Sequence, residues 1–169
     1  TLSSSSAASD VYKRQILLAV KQRGDAAVTE YTLAFDKVAL SHFELSAEKM
    51  EAAGKALTPS LKTAIQLAKV NIEVFHSAQI QKEERIETMP GVWCWRKAVG
   101  IEKVGIYIPG GSAPLFSTVL MLGIPAKLAG CKEIILCTPP NEKGAIDPAI
   151  IYAASLVGVT AIFTIGGVQ

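Results

Sequence analysis

The sequence contains few of the residues that form metal centres or disulfide frameworks. Its 169 residues include three cysteines and two histidines, and the two nearest cysteines, Cys131 and Cys137, are too far apart for a CxxC pair. No cluster with metal-ligand spacing and no Ser/His/Asp set can be assembled, so we predict neither metal ligands nor catalytic residues in this chain. An odd number of cysteines without a signal peptide is typical of a reducing compartment, and we expect a cytoplasmic protein.

The chain also lacks a strong charge of either sign and a long hydrophobic run. Its 17 basic side chains stand against 15 acidic ones, and the basic residues are scattered along the sequence. The sequence therefore has no concentrated positive charge that could bind nucleic acid. No run approaches the roughly 18 apolar residues of a membrane-spanning helix. We therefore expect neither nucleic acid nor a membrane as a partner, and the 50% apolar content predicts a folded globular chain.

The first half of the chain is predicted to be helical after an irregular start. Residues 1–15 are rich in serine and alanine, and we interpret them as a non-native or disordered leader. Within residues 16–82, apolar spacing predicts a first helix from Ile16 to Arg23. The capping residues Asp25, Ser46 and Thr58 predict the starts of three more helices. The last has the clearest apolar stripe, formed by Leu61, Ile65, Ala68, Ile72 and Phe75.

Residues 83–100 are predicted to form a β-hairpin. Pro90 and Gly91 supply the turn, and the apolar run that follows is typical of a strand. Trp93 and Trp95 are two residues apart and therefore lie on the same face of that strand. We expect them to pack in the core, with a partner surface as the alternative.

From residue 101 onward, strands alternate with helices. Strands are predicted at Lys103–Ile108, Glu133–Thr138 and Ala161–Thr164, with helices at Leu115–Ala129 and Pro148–Leu156. Asp147 is the predicted cap of the second helix. Such alternation predicts a parallel sheet with helices packed on it. Pro125 lies inside the first helix, and we expect a bend or break near Ile124.

The carboxyl ends of these strands are the candidate ligand edge. Ligands of open parallel sheets bind there, and the three loops are rich in Gly, Pro and small polar residues. The sequence lacks GxGxxG, and Gly111 stands where a P-loop needs its lysine, so the common nucleotide motifs are absent. Tyr107 is placed to stack on a flat ligand, or else to lie in the core. The Gln169 amide is placed to form hydrogen bonds with the polar edge of a ligand. The alternative is that this side chain is solvated.

A longer stretch resembles a known family. The segment YIPGGSAPLFSTVLM, followed later by GVTAIFTIGGVQ, is similar to the N-terminal half of histidinol dehydrogenases, and the resemblance runs from Ile16 to Gln169. It implies a helical N-terminal region and hairpin, then the first half of a Rossmann-like NAD-binding domain over residues 101–169. It also implies an NAD-dependent zinc enzyme that oxidises L-histidinol to L-histidine through histidinaldehyde. Members are homodimers whose active sites draw on both subunits.

The resemblance assigns roles residue by residue. Tyr107 and Gln169 correspond to the family's NAD contacts, and Pro109, Gly110 and Gly111 fall in the adjoining turn. The family's zinc ligands and its Glu-His acid/base pair lie beyond Gln169. We therefore expect a truncated dehydrogenase that binds NAD weakly at best and has no activity of its own.

Two alternatives remain open at this point. The chain could be a non-catalytic module that binds a nucleotide or anion with its PGGS turn. Alternatively, the helical region and hairpin could serve mainly as a dimerisation surface.

Overall fold

A computed structural model describes residues 4–111 and 113–169. In this part of the chain six helices combine with an antiparallel hairpin and a three-stranded parallel sheet, which confirms the predicted α/β class. No helix among these residues is long and apolar enough to cross a membrane. The elements are α1 Ser4–Arg23, α2 Asp25–Asp36, α3 Ala47–Ala56, α4 Pro59–Ser77, β1 Arg85–Met89, β2 Val92–Trp95, β3 Lys103–Tyr107, α5 Phe116–Leu128, β4 Glu133–Thr138, α6 Pro148–Val157 and β5 Ala161–Thr164.

Helix α1 begins earlier than the sequence predicted. It starts at Ser4 and not at Ile16, since no Gly or Pro interrupts the helix before Gly24. The side chains of residues 10–15 are all exposed, so these residues contribute nothing to a core. The division of the chain at residue 15 stays a prediction.

Helices α3 and α4 begin after the predicted capping residues, whereas Asp25 is the first residue of α2 and not its cap. The Ser46 hydroxyl accepts from the Lys49 backbone N–H, and the Thr58 hydroxyl accepts from that of Leu61. Most of the α4 stripe packs on the core, with Ile65 fully buried. Phe75 is the exception: it is 64% exposed, and its ring meets the His76 ring edge-on at 5.3 Å between centroids.

The hairpin forms as predicted, but its tryptophans do not enter the core. Strands β1 and β2 pair with Ile86 opposite Cys94, and every residue of both strands is exposed. Trp93 and Trp95 are 53% and 49% exposed, so the prediction of core packing is wrong. A two-stranded ribbon has no buried face unless another element covers it. Here Trp95 is covered in part by the Arg85 guanidinium, 4.9 Å from its ring centroid.

The parallel sheet has the order β3-β4-β5 and buries one face. Ile106, Leu136 and Ile162 lie opposite one another in register and belong to one buried cluster with α5 and α6. The outer edge of β5 is covered by an antiparallel segment, residues 43–45. Its Leu45 N–H donates to the Ile162 carbonyl at 2.8 Å. The sheet and the layer of α5 and α6 therefore form the frame that holds the strand ends.

Helix α5 runs through Pro125 without the predicted break. Proline removes one N–H from the helical ladder, a loss that the packing of α5 between α4 and α6 outweighs. Val119, Leu120 and Ile124 are buried there, and Gly123 lies so close to Val157 that a Cβ at this position would overlap its side chain. The tight contact with α6 keeps the helix continuous.

Candidate functional site

The three strands end at one edge, where the sequence predicted a ligand site. Tyr107 is opposite Cys137, and Cys137 is opposite Phe163. The Ile108 N–H donates to the Cys137 carbonyl at 3.0 Å, which continues the ladder to the start of the loop after β3. The loops after β3, β4 and β5 consequently leave the sheet side by side.

Tyr107 connects two of these strand ends. Its hydroxyl accepts a hydrogen bond from the Gly167 backbone N–H at 3.1 Å. The side chain remains 43% exposed, so Tyr107 is not a core tyrosine. A half-exposed ring with a fixed hydroxyl offers a flat apolar surface at the ligand edge.

Gln169 lies against the same turn. Both its Oε1 and Nε2 are buried, and neither has a hydrogen-bond partner within the described part of the chain. Gly167 adopts φ 66, and a Cβ there would overlap the Gln169 amide. A buried polar group without a partner costs about 1–3 kcal/mol. The solvated alternative for Gln169 does not hold, and its amide has a free donor and a free acceptor for a ligand.

The glycines of the turn after β3 have different surroundings. A Cβ on Gly110 would lie 2.7 Å from Pro139 Cγ, whereas a Cβ on Gly111 would meet no described atom within 4 Å. Pro139 is enclosed from the other side as well, since a Cβ on Gly166 would lie 2.6 Å from its Cβ. Gly110 therefore serves loop packing, and Gly111 leaves open space where a ligand can approach the backbone.

A cavity of 170 Å³ lies between these loops and the start of α6. Two polar side chains on its wall serve the local fold. Asn141 Oδ1 accepts from the Lys143 and Ala145 N–H groups, and Asp147 Oδ1 accepts from the Ala149 N–H at 2.8 Å. Ligand pockets usually enclose about 300–1,000 Å³. This cavity can hold only part of a dinucleotide.

Asp36 also lies at this edge, although no sequence motif marks it. It ends α2, and its two carboxylate oxygens lie 3.2 and 3.3 Å from the position of a Cβ on Gly166. Its Oδ2 is buried without a partner among the described residues, and burial raises the pKa of the carboxyl above its ordinary value. The two residues are far apart along the chain, so no local motif links them.

Neither Cys137 nor His76 adds a reactive group to this edge. Cys137 is half-buried, and burial raises the pKa of its thiol, which disfavours the reactive thiolate. His76 lies at the end of α4, 3.1 Å from Gln79 Oε1 through its Nδ1. Among residues 4–111 and 113–169, no three His, Cys, Asp or Glu side chains are grouped closely enough to hold a metal ion.

Comparison with known proteins identifies the family of this chain. The sequence profile of histidinol dehydrogenase matches residues 2–169. The chain belongs to the histidinol dehydrogenase family. Histidinol dehydrogenase of Bacteroides thetaiotaomicron is 59% identical to it over 156 residues, and that of Xylella fastidiosa strain Temecula1 is 51% identical over 150 residues. The resemblance found in the sequence is confirmed.

The chain spans about a third of these histidinol dehydrogenases. The two alignments cover 92% and 89% of this chain but 36% and 35% of the relatives. The crystal structure of histidinol dehydrogenase from Elizabethkingia anophelis superimposes with a TM-score of 0.91 at 51% identity, covering 95% of this chain and 37% of that one. The fold described above is thus that of one part of a histidinol dehydrogenase.

Proposed function

We propose that this chain is the part of an NAD-dependent histidinol dehydrogenase that positions the cofactor. The whole enzyme would oxidise L-histidinol to L-histidine through histidinaldehyde. One observation carries the proposal: the two residues that the family resemblance assigns to NAD meet at a single turn. Tyr107 holds the Gly167 N–H at 3.1 Å, and Gln169 lies on the other side of that glycine.

The residues at the edge fit a dinucleotide. The unpaired Gln169 amide matches a ligand edge that carries both a donor and an acceptor. The exposed Tyr107 ring matches a flat ring, and the open space at Gly111 matches a group that contacts backbone N–H donors. When bound, NAD supplies the hydride acceptor. The chain's own residues bind and orient it.

Each residue then has a separate task at this edge. The Tyr107 hydroxyl keeps the Gly166–Gly167 turn against the end of β3, so that ring and turn form one surface. The Gln169 amide donates through Nε2 and accepts through Oε1. Pro139, enclosed between Gly110 and Gly166, holds the neighbouring loops at a fixed separation. A preformed surface of this kind lowers the entropy cost of ordering the cofactor.

Zinc does not fit the residues described here. They contain no group of three potential ligands, so we derive no role for this chain in metal binding. The family resemblance puts the zinc ligands and the acid/base pair beyond Gln169. We accordingly propose that the chain by itself does not oxidise histidinol.

We also infer that the chain forms homodimers in the cytoplasm. The hairpin presents Trp93 and Trp95 to solvent on one face, with Ile86 and Met89 exposed on the opposite face. An exposed pair of tryptophans on one face is typical of a protein–protein interface. Three free cysteines agree with a reducing compartment.

The proposal is tested by titrating the chain with NAD in a calorimeter. We expect Gln169→Ala and Tyr107→Ala each to weaken NAD binding about tenfold, which corresponds to about 1.4 kcal/mol. Tyr152→Phe is the matched control, because the Tyr152 hydroxyl accepts from Gln66 on α4, away from the strand ends. Its NAD affinity should equal that of the unchanged chain.

Two results would contradict the proposal. The first is an NAD affinity that neither Gln169→Ala nor Tyr107→Ala changes. The second is binding of inorganic pyrophosphate as tight as that of NAD, which would favour the anion-binding alternative. Pyrophosphate has no ring and no carboxamide, so it cannot use Tyr107 and Gln169 in the same way.

A further inference from the structure

We propose that Asp36 is a further cofactor-binding residue, which accepts hydrogen bonds from the adenosine ribose hydroxyls of NAD and disfavours the 2′-phosphorylated cofactor. The inference rests on the proposed function and adds a determinant of cofactor choice. It starts from one juxtaposition: Asp36, Tyr107 and Gln169 surround the same two-residue turn, Gly166–Gly167.

The end of α2 holds the Asp36 carboxylate at this turn. Lys37 follows in the left-handed conformation at φ 61 and redirects the chain away from the helix axis. Its ammonium donates to the Ala34 carbonyl at 2.6 Å, at the end of α2. Within the described part of the chain Asp36 forms no ion pair, so no neighbouring cation neutralises its carboxylate.

The unpaired Oδ2 is the second observation that points to a ligand. It is buried without a donor, as is the amide of Gln169 on the other side of the turn. Placing two unpaired polar side chains at one turn destabilises the free chain. Such costs are typical of binding sites, where the ligand supplies the missing partners.

The absence of a side chain at Gly166 lets the Asp36 carboxylate lie close to the turn after β5. The Asp36 oxygens lie 3.2 and 3.3 Å from where a Cβ would be, and Gly166 itself is buried. Any larger residue would push the carboxylate away from the strand end. The carboxylate therefore approaches the backbone at the point where the cofactor edge begins.

The chemistry of an ionised carboxylate limits what it can bind. It only accepts hydrogen bonds, and its two oxygens match two adjacent hydroxyls, as a ribose offers. A phosphate on the ribose would place like charges together and would be repelled. Dinucleotide-binding sheets commonly use an acidic residue after a strand for this task. Here the carboxylate comes from the end of a helix outside the sheet.

The test compares NAD and NADP binding to the same 169-residue chain by calorimetric titration. We expect Asp36→Asn to weaken NAD binding about tenfold and to leave NADP binding equal or tighter, so that the preference for NAD falls at least tenfold. Asp36→Glu keeps the charge and should keep most of the discrimination. Glu51→Gln removes an exposed carboxylate on α3 and should change neither affinity.

Thermal unfolding separates this role from a structural one. Asp36→Asn removes a partly buried charge that has no partner, so its melting temperature should be no lower than that of the unchanged chain. A loss of NAD affinity would then not reflect unfolding. If Asp36→Asn does not fold, Asp36→Glu is titrated with NAD and NADP instead. A retained preference for NAD supports the proposal, and a lost preference contradicts it.

The possible failures are distinct. If the unchanged chain binds NAD and Gln169→Ala weakens that binding, but Asp36→Asn changes neither affinity, the role of Asp36 is refuted and the proposed function stands. The same holds if Asp36→Asn weakens NAD and NADP equally, because the carboxylate would then face other donors. If the unchanged chain binds no NAD at millimolar concentration, both proposals fail together.

Discussion

Gly110 and Gly111 are adjacent in sequence but have opposite surroundings, which makes them a matched pair. A Cβ on Gly110 would meet Pro139 at 2.7 Å, and one on Gly111 would meet open space. We expect Gly110→Ala to lower the free energy of unfolding by about 1–3 kcal/mol through overpacking. Gly111→Ala should leave stability nearly unchanged and weaken NAD binding, because its methyl group would occupy the cofactor's approach. Urea denaturation and calorimetric titration of both variants check this, and equal stabilities would contradict it.

Asp36 also predicts a pH dependence of stability. Burial raises the pKa of its carboxyl in the folded chain, so the protonated form is favoured by folding. Its contribution to stability is fully present below the ordinary Asp pKa of 3.8 and is lost as pH rises through the raised value. At pH 7 we expect Asp36→Asn to be at least as stable as the unchanged chain, with the difference shrinking as pH falls to 3.8. Denaturation at pH 7 and pH 4 measures this, and a difference that grows toward acid would be the wrong sign.

At the scale of elements, helix caps determine where α3 and α6 begin. Asp147 caps α6 with a 2.8 Å bond to the Ala149 N–H, while the Ser46 bond to the Lys49 N–H is long, at 3.5 Å. We expect Asp147→Ala to cost about 1 kcal/mol of unfolding free energy and Ser46→Ala less. Chemical denaturation of the two variants at pH 7 compares them. A larger loss of unfolding free energy for Ser46→Ala would show that the length of the capping hydrogen bond does not determine the loss of stability.

Local sequence signals gave wrong predictions for two helices, α5 and α1. Pro125 predicted a bend or break in α5, and the break does not occur, since α5 is continuous where Gly123 packs on Val157. The first helix was predicted to begin at Ile16, yet α1 begins at Ser4. Both errors have one cause: local preferences of about 1–3 kcal/mol are readily outweighed by neighbouring residues.

At the scale of the whole molecule, the exposed hairpin predicts self-association. We expect the chain to form dimers in light scattering after size exclusion, and the double variant Trp93→Arg/Trp95→Arg to shift the mass toward the monomer. Leu33→Arg on α2 is a control, because that leucine is exposed to a similar degree outside the hairpin. A monomeric unchanged chain, or a double variant with unchanged mass, would refute the hairpin as the interface.

The whole chain should also be inactive in histidinol oxidation. The described residues hold no group of three metal ligands, and the resemblance places the acid/base pair beyond Gln169. We expect NADH formation from L-histidinol and NAD to equal the rate without protein, measured at 340 nm. Turnover above that blank, retained after purification to homogeneity, would contradict this view.

The sequence by itself determined the class of fold, the strand ends and the family. Apolar spacing, the caps at Ser46, Thr58 and Asp147, and the long YIPGGSAPLFSTVLM segment are local signals that tertiary context did not change. The glycine-rich loops after parallel strands also indicated where a ligand edge would lie, since parallel strands must end together.

Only the tertiary structure decided which side chains share that edge and which remain exposed. The contact of Asp36 with Gly166, the bond between Tyr107 and Gly167, and the exposure of the hairpin tryptophans all depend on residues distant in sequence. Periodicity reports which face of an element is apolar, but not what covers that face. Contacts across the fold arise from packing the whole chain, and no local pattern carries them.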